Sequence, residues 1–255
     1  VSALKYVEKT NEKSQRFIDQ VEQEYAVGSK LDHESIRKVH KLIRHRKLLK
    51  VTAVSMIMEL VDATTLDQQL PRNHSQAVDV FLQIARGLAH MHGRGFVHAD
   101  MKPNNVLVDD DGKVKIIDLG QACAIGTIKK RIQGTPGYMA PEQAHRKEIT
   151  PKTDIYNLGA MMYWILVGEV IPTAMPPKNT TVSLVGGAVD TDKVELPIPP
   201  HERNPRIHSL LSKQIMDCIQ PIANNRPESM TVVVNRLELI QDVLNEPADT
   251  TSASA

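Results

Sequence analysis

The stretch from Phe96 to Gly120 constrains this chain more than any other. It reads Phe-Val-His-Ala-Asp-Met-Lys-Pro-Asn-Asn-Val-Leu-Val-Asp-Asp-Asp-Gly-Lys-Val-Lys-Ile-Ile-Asp-Leu-Gly. Val106 to Val108 and Val114 to Ile117 are short β-branched runs, and Asp111-Gly112 between them has turn chemistry that accepts a positive φ. The two runs are therefore expected to pair as an antiparallel hairpin. Pairing brings Asn105, before the first strand, and Asp118, after the second, to the same open end, with Asp100 and Lys102 on the loop leading in. Such a set suits phosphoryl transfer. An Asn and an Asp can hold Mg²⁺, a carboxylate can accept a hydroxyl proton, and a Lys can sit near the transferring phosphate. A polar loop beside a hairpin is the plainer reading of this stretch alone, since Asp, Asn, Lys and Pro are common turn residues.

Composition narrows the partners. With 255 residues and 41% hydrophobic content, the chain can bury a substantial core as one large domain or two unequal lobes. Its formal charge of +1 gives no global electrostatic reason to expect nucleic acid or a membrane surface as partner. No run approaches the roughly eighteen apolar residues of a membrane span, and no charged-then-apolar leader opens the sequence. The expectation is a soluble, cytoplasmic chain, or the cytoplasmic domain of a longer protein. Cys123 and Cys218 are far apart and lack metal-ligand spacing, which fits free thiols in a reducing compartment. The histidines form no metal-ligand cluster. Between Arg37 and Lys50 stand seven Lys or Arg and no acid. A solvated hairpin explains them, and a docking site for an acidic partner is the sharper alternative.

Taken in order, His-Ala-Asp-Met-Lys-Pro-Asn-Asn followed by Asp-Leu-Gly resembles the catalytic loop and metal-binding motif of protein kinases. Other segments fall into the same register. Gly134-Thr-Pro-Gly-Tyr-Met-Ala-Pro-Glu142 resembles the end of an activation segment, with Thr135 placed to touch Asp100 and Lys102. Asp154, in Thr153-Asp-Ile-Tyr-Asn-Leu-Gly-Ala160, is a plausible helix N-cap by spacing; by resemblance it is the buried Asp that braces the catalytic loop. Asn224-Asn-Arg-Pro227 resembles the element whose Arg, here Arg226, pairs with Glu142. Upstream, the alternating Val1 to Val7 resembles the strand whose Lys, here Lys5, holds the α- and β-phosphates, with Ala3 against the adenine. Glu24 falls where the family places the helix Glu that pairs with that Lys, and Glu22 competes for the role. Met56-Ile-Met-Glu-Leu-Val61 resembles the hinge, with Met58 as gatekeeper and the Glu59 to Val61 backbone bonding adenine. Leu107 completes the nucleotide-contacting set.

Periodicity fills in the rest. A helix is expected from Glu12 to about Leu31, with Phe17, Ile18, Val21, Tyr25 and Leu31 inward. Strands are expected at Ile36 to Ile43 and Thr52 to Met58 around a basic turn, and a short helix at Thr65 to Gln69. Ser75 to Met91 reads as a buried helix stopped by Gly93. Another helix runs from Thr153 through Val167, and two more, Ile207 to Cys218 and Met230 to Leu244, close the chain. Pro172 to Arg206 reads as loop with a short helix, and the small polar tail is expected to be disordered.

The resemblance implies an α+β, two-lobed protein kinase fold: a small β-rich lobe over residues 1–60, a larger helical lobe over 61–245, and the tail. It also implies Mg²⁺ and ATP as cofactors and a protein substrate with a Ser or Thr acceptor. Asp100 would be the base, with Lys102 and Thr135 beside it, and Asn105 and Asp118 would hold the metal. Lys102, two residues after Asp100, is the serine/threonine pattern, and the Ala-Pro-Glu-Gln ending looks most like bacterial members. Three departures bear on activity. No G-x-G-x-x-G precedes Lys5, so a fragment of a longer protein is expected, the alternative being a kinase that works without its phosphate cover. Gly28 stands where the family packs a bulky side chain, which predicts a loosely held helix. Ala99 replaces the Arg that many kinases carry beside the catalytic Asp. The alternatives are a catalytically weak pseudokinase or scaffold module and a small-molecule phosphotransferase, which generally lacks the Gly-Thr-Pro-Gly-Tyr to Ala-Pro-Glu segment.

Overall fold

The computed structural model describes residues 1–11, 14–173 and 196–246. Strand β1 (Ser2–Glu8) alternates exposed and half-buried residues, as a strand with one packed face must. Helix α1 (Gln15–Gly28) follows, then β2 (Val39–Lys47) and β3 (Lys50–Glu59). These strands form an antiparallel sheet in the order β1-β3-β2. Ile18 and Val21 of α1 pack with Val54, Met56 and Met58 of β3 into the small lobe's core.

The larger lobe begins with β4 (Thr64–Thr65) and the long helix α2 (His74–Gly93), then β5 (Phe96–Val97), β6 (Val106–Val108) and β7 (Val114–Ile116). Asn73 caps α2, accepting from Gln76 N at 2.8 Å, which satisfies one of the first turn's orphan donors. Short strands β8 (Cys123–Ala124) and β9 (Thr127–Ile128) pair with β5 and with β10 (Glu148–Ile149) respectively. Helices α3 (Pro141–Ala144), α4 (Pro151–Val167), α5 (Pro200–Arg203), α6 (Ser209–Cys218) and α7 (Met230–Asn245) complete the lobe. Its core surrounds α2 and α4, with Phe81, Ile84, Leu88, Ile155, Leu158 and Met161 fully buried. Leu211, Ile215, Val233 and Leu237 close over them from α6 and α7. The lobes and their mixed α+β content are those expected.

Several local expectations are overturned. Phe17 is 44% exposed although it shares the stripe of Val21 and Glu24, because it stands in the first turn of α1, where Arg16 covers its ring at 4.6 Å. Thr65 to Gln69 is a strand end and a turn rather than a helix. Thr65 pairs with Leu107, and an edge pairing on β6 claims its backbone. Ile36 stands outside β2, bridging Ile116 in parallel, and is 2% exposed. The basic residues do not form a turn: Lys41, Arg44, Arg46 and Lys47 lie on β2, Arg37 and Lys38 precede it and Lys50 opens β3, and register leaves only Leu48 and Leu49 between the strands. Asp154 does not cap α4; Thr150 occupies that position. Nor is α1 loosely held at Gly28. A Cβ there would stand 2.9 Å from Val39 Cγ2 and 3.4 Å from Leu119 Cδ1, so neighbouring side chains already fill the space. Most of Pro172 to Arg206, and the tail from residue 247, lie outside the described residues.

Candidate active site

The hairpin pairs as its sequence demands. Val106 faces Ile116, Leu107 faces Lys115 and Val108 faces Val114, with Gly112 at φ 79° in the turn. Ile117 N donates to Asn105 O at 2.9 Å, which fixes the two ends of the hairpin side by side.

Around that end the polar side chains interlock. Thr135 Oγ1 donates to Asp100 Oδ1 at 2.9 Å and accepts from Lys102 Nζ at 3.0 Å. Lys102 Nζ also stands 3.6 Å from Asp100 Oδ2. Asn105 Nδ2 donates to Asp100 O at 2.8 Å. That bond turns the amide, so that among the described residues its Oδ1 carries no protein hydrogen bond. Asp118 adopts a left-handed φ of 61° and accepts from Gly120 N at 3.3 Å. A non-glycine residue in that region costs of order 1–3 kcal/mol, and such residues gather at functional sites.

Lys5 and Glu24 meet from β1 and α1, Nζ to Oε2 at 2.6 Å. Glu24 is 2% exposed and also receives Arg37 Nη2 at 3.4 Å. Glu22 instead answers Arg44, which stands opposite Val54 on β2. The helix is tied to the turn after Asp118, where Gln23 Nε2 donates to Ala122 O at 2.8 Å. Register sets Ala3 opposite Met58 and Lys5 opposite Met56, and Met58 is buried. Glu59 N donates to Lys38 O at 2.9 Å, and its carboxylate meets Lys115 Nζ at 2.7 Å and Lys38 N at 3.0 Å. Burial alone would push the Glu59 carboxyl up, yet the Lys115 and Lys38 contacts hold it below the usual range. Val61 and Leu107 are half-buried.

Beneath the loop lies a buried brace. Asp154 is fully enclosed and accepts from His98 N at 2.9 Å and Ala99 N at 2.8 Å. His92 Nε2 lies 2.8 Å from the same Oδ2 that His98 N reaches. Desolvation would raise its carboxyl, but the His92 contact, His98 and the Ala99 N–H together hold it below 3.8. Arg226 donates to both oxygens of Glu142 at 2.8 and 2.9 Å, and to the carbonyls of Lys152, Gln220 and Pro221.

Gln143 and His98 hold positions that no motif assigned. Gln143 Nε2 donates to Ala99 O at 2.7 Å, and its Oε1 accepts from Ala140 N and Asn157 Nδ2, so one amide ties the loop that carries Asp100 to the Ala-Pro-Glu turn and to α4. His98 is fully buried and accepts from Asp100 N at 3.2 Å. Their only sequence signal is adjacency, Gln143 to Glu142 and His98 to Ala99-Asp100.

Comparison with known proteins agrees with this geometry. A sequence model described as "Protein kinase domain" matches residues 1–237. A probable serine/threonine-protein kinase of Clostridium acetobutylicum is 30% identical over 73% of this chain and 28% of its own length. Serine/threonine-protein kinase PrkC of Bacillus subtilis is 32% identical over 60% of this chain and 24% of its own length. Serine/threonine-protein kinase PknB of Mycobacterium leprae is 30% identical over 76% and 31%. The chain thus spans about a quarter to a third of the length of these curated relatives. A family match over nearly all of the sequence, with each motif standing where the fold needs it, means that the chain belongs to the protein kinase family, its relatives being bacterial serine/threonine-protein kinases.

Proposed function

We propose that this chain transfers the γ-phosphate of ATP to Ser or Thr hydroxyls of protein substrates. The observation that carries the reading is the Asp100, Lys102 and Thr135 cluster. In it a carboxylate oriented by a threonine hydroxyl stands beside a lysine that can neutralise phosphate charge. Asp100 would accept the proton of the incoming hydroxyl as the oxygen attacks phosphorus, and Lys102 would hold the transferring group.

The donor set suits Mg²⁺, a hard cation that takes oxygen ligands and usually keeps waters and substrate phosphates in its shell. Asn105, with its amide nitrogen already committed to Asp100 O, and Asp118 are the residues that would hold it. Bound Mg²⁺ would neutralise charge on the phosphates; the protein's part is to fix Asn105 and Asp118 on the two ends of one hairpin. Lys5, held by Glu24, would bind the α- and β-phosphates. With Glu59 N already donating to Lys38 O, adenine would be read by the Glu59 carbonyl and the Val61 backbone. Ala3, Met58 and Leu107 would supply apolar contact. A reducing, cytoplasmic setting suits the two buried free thiols, of which Cys218 is pushed up to about 12 by burial.

The scaffold reading remains the one to defeat. Incubating the chain with radiolabelled ATP, Mg²⁺ and a generic basic protein separates the two. The expected result is phosphoserine or phosphothreonine that Asp100→Asn fails to produce. Nucleotide binding without transfer would make the chain a binding module.

A further inference from the structure

The tip of the β2–β3 hairpin carries two costs that nothing around it offsets. Register pairs Lys47 directly with Lys50, and like charges opposite one another on a ribbon repel. Leu48, the first of the two loop residues, has φ 56°, and Leu49 has no positive φ. That is the pattern of a type II′ turn, whose first position takes glycine because a Cβ is crowded there. A bulky residue held in this region is an outlier, and local strain of this kind persists where function uses it.

Both leucines stand in solvent, at 94% and 93% exposure. Among the described residues Arg46, Lys47 and Lys50 make no ion pair. Farther along the basic stretch, Arg37, Lys38 and Arg44 answer Glu24, Asp32 and Glu22. The acid that register brings nearest is Glu8, opposite Ala53. What results is a convex apolar point ringed by three unanswered cations.

We infer that this tip docks on an anionic membrane surface, with Leu48 and Leu49 entering the headgroup boundary and Arg46, Lys47 and Lys50 contacting acidic headgroups. Apolar side chains flanked by Lys and Arg are what such an interface binds. A two-residue point offers no concavity to grip a partner's side chains, whereas a soft interface accepts a point. The formal charge of +1 does not oppose this, because charges beyond a Debye length of about 8–10 Å are largely screened. The tip also lies at the far end of the ten-residue β3 from the hinge, about 30 Å away at strand rise, so docking leaves the cleft open. The inference stands apart from the kinase reading.

Cosedimentation of the whole chain with vesicles tests it. Phosphatidylcholine vesicles should not bind it, and vesicles mixed with phosphatidylserine should, with binding lost at high salt. Each of Arg46→Ala, Lys47→Ala and Lys50→Ala should weaken binding about fivefold, the factor for about 1 kcal/mol per cation at such a surface. Leu48→Ser with Leu49→Ser should weaken it by roughly tenfold. Leu48→Gly should raise the melting temperature while weakening vesicle binding, a split that a purely structural turn residue would not show. The proposal fails if the parent ignores phosphatidylserine, or if the serine variant binds as well as the parent. It also fails if the tip proves to bind only an acidic protein.

Discussion

Lys5–Glu24 and Arg226–Glu142 each join segments far apart in the chain, but they are built differently. Lys5 makes one contact, at 2.6 Å, from a side chain 37% exposed. Arg226 has no exposed side-chain surface and spends its guanidinium on both Glu142 oxygens and three carbonyls. A lysine is a compact charge on a flexible stem, whereas the arginine fork is locked by planar, bidentate geometry. If Lys5 binds phosphates as proposed, the first pair has one half-exposed, flexible partner that can let go, whereas the second can only hold.

The largest expected effect falls on the cleft side. Asp100→Asn and Asp118→Asn should each lower phosphoryl transfer by about 10²–10⁴-fold or more, loss of a positioned proton acceptor alone having that size. Thermal melts should stay at the parental value, and near-parental turnover in either variant would remove that residue from the chemistry.

Next comes the contrast between the pairs. Arg226→Ala leaves Glu142 without its cation, with only the Thr153 hydroxyl donating to it, and takes a donor from three carbonyls, and should cost about 3–5 kcal/mol of stability by chemical denaturation. Lys5→Ala should cost less, because Arg37 still answers the buried Glu24 at 3.4 Å, while turnover falls. Equal stability losses would erase the distinction.

Smaller is the acid dependence of the brace. Asp154 titrates below its ordinary 3.8 in the folded state, so it contributes stability that is complete above the unfolded value. That contribution is lost as pH falls through the lower, folded one. Asp154→Asn should remove that part of the acid unfolding profile, and an unchanged profile would show that other carboxylates carry it.

The smallest effect concerns Thr127. Its hydroxyl donates to Ala124 O at 2.7 Å, and Ala99 stands where an Arg would meet a phosphate. Phosphatase treatment should leave turnover nearly unchanged. A large loss restored by rephosphorylating Thr127 would show that a phosphate there finds a cation other than one at position 99.

The chain's local order was legible where neighbours in sequence are neighbours in space. Val106 to Ile116 pairs across a turn that Asp111-Gly112 encodes, so Asn105 and Asp118 come together by chemistry written within a short stretch. The α2 stripe and the Arg226–Glu142 pair also emerged, the first from periodicity and the second from family resemblance. Tertiary packing decided the rest. On a helix of 3.6 residues per turn, Glu22 and Glu24 point about 200° apart, and spacing does not say which faces the sheet; Ile18 and Val21 packing on β3 turns Glu24 toward Lys5. Phe17 shares the Val21 and Glu24 stripe, and is exposed because it stands in the first turn of α1. Asp154 has the chemistry of a cap, but the backbone of His98 and Ala99 arrives at its carboxylate from a distant loop, and two buried N–H groups outweigh one helix end. Gln143 reaches Ala99 across forty-four positions, a contact without local pattern, because a buried carbonyl is satisfied by whichever donor the fold brings near.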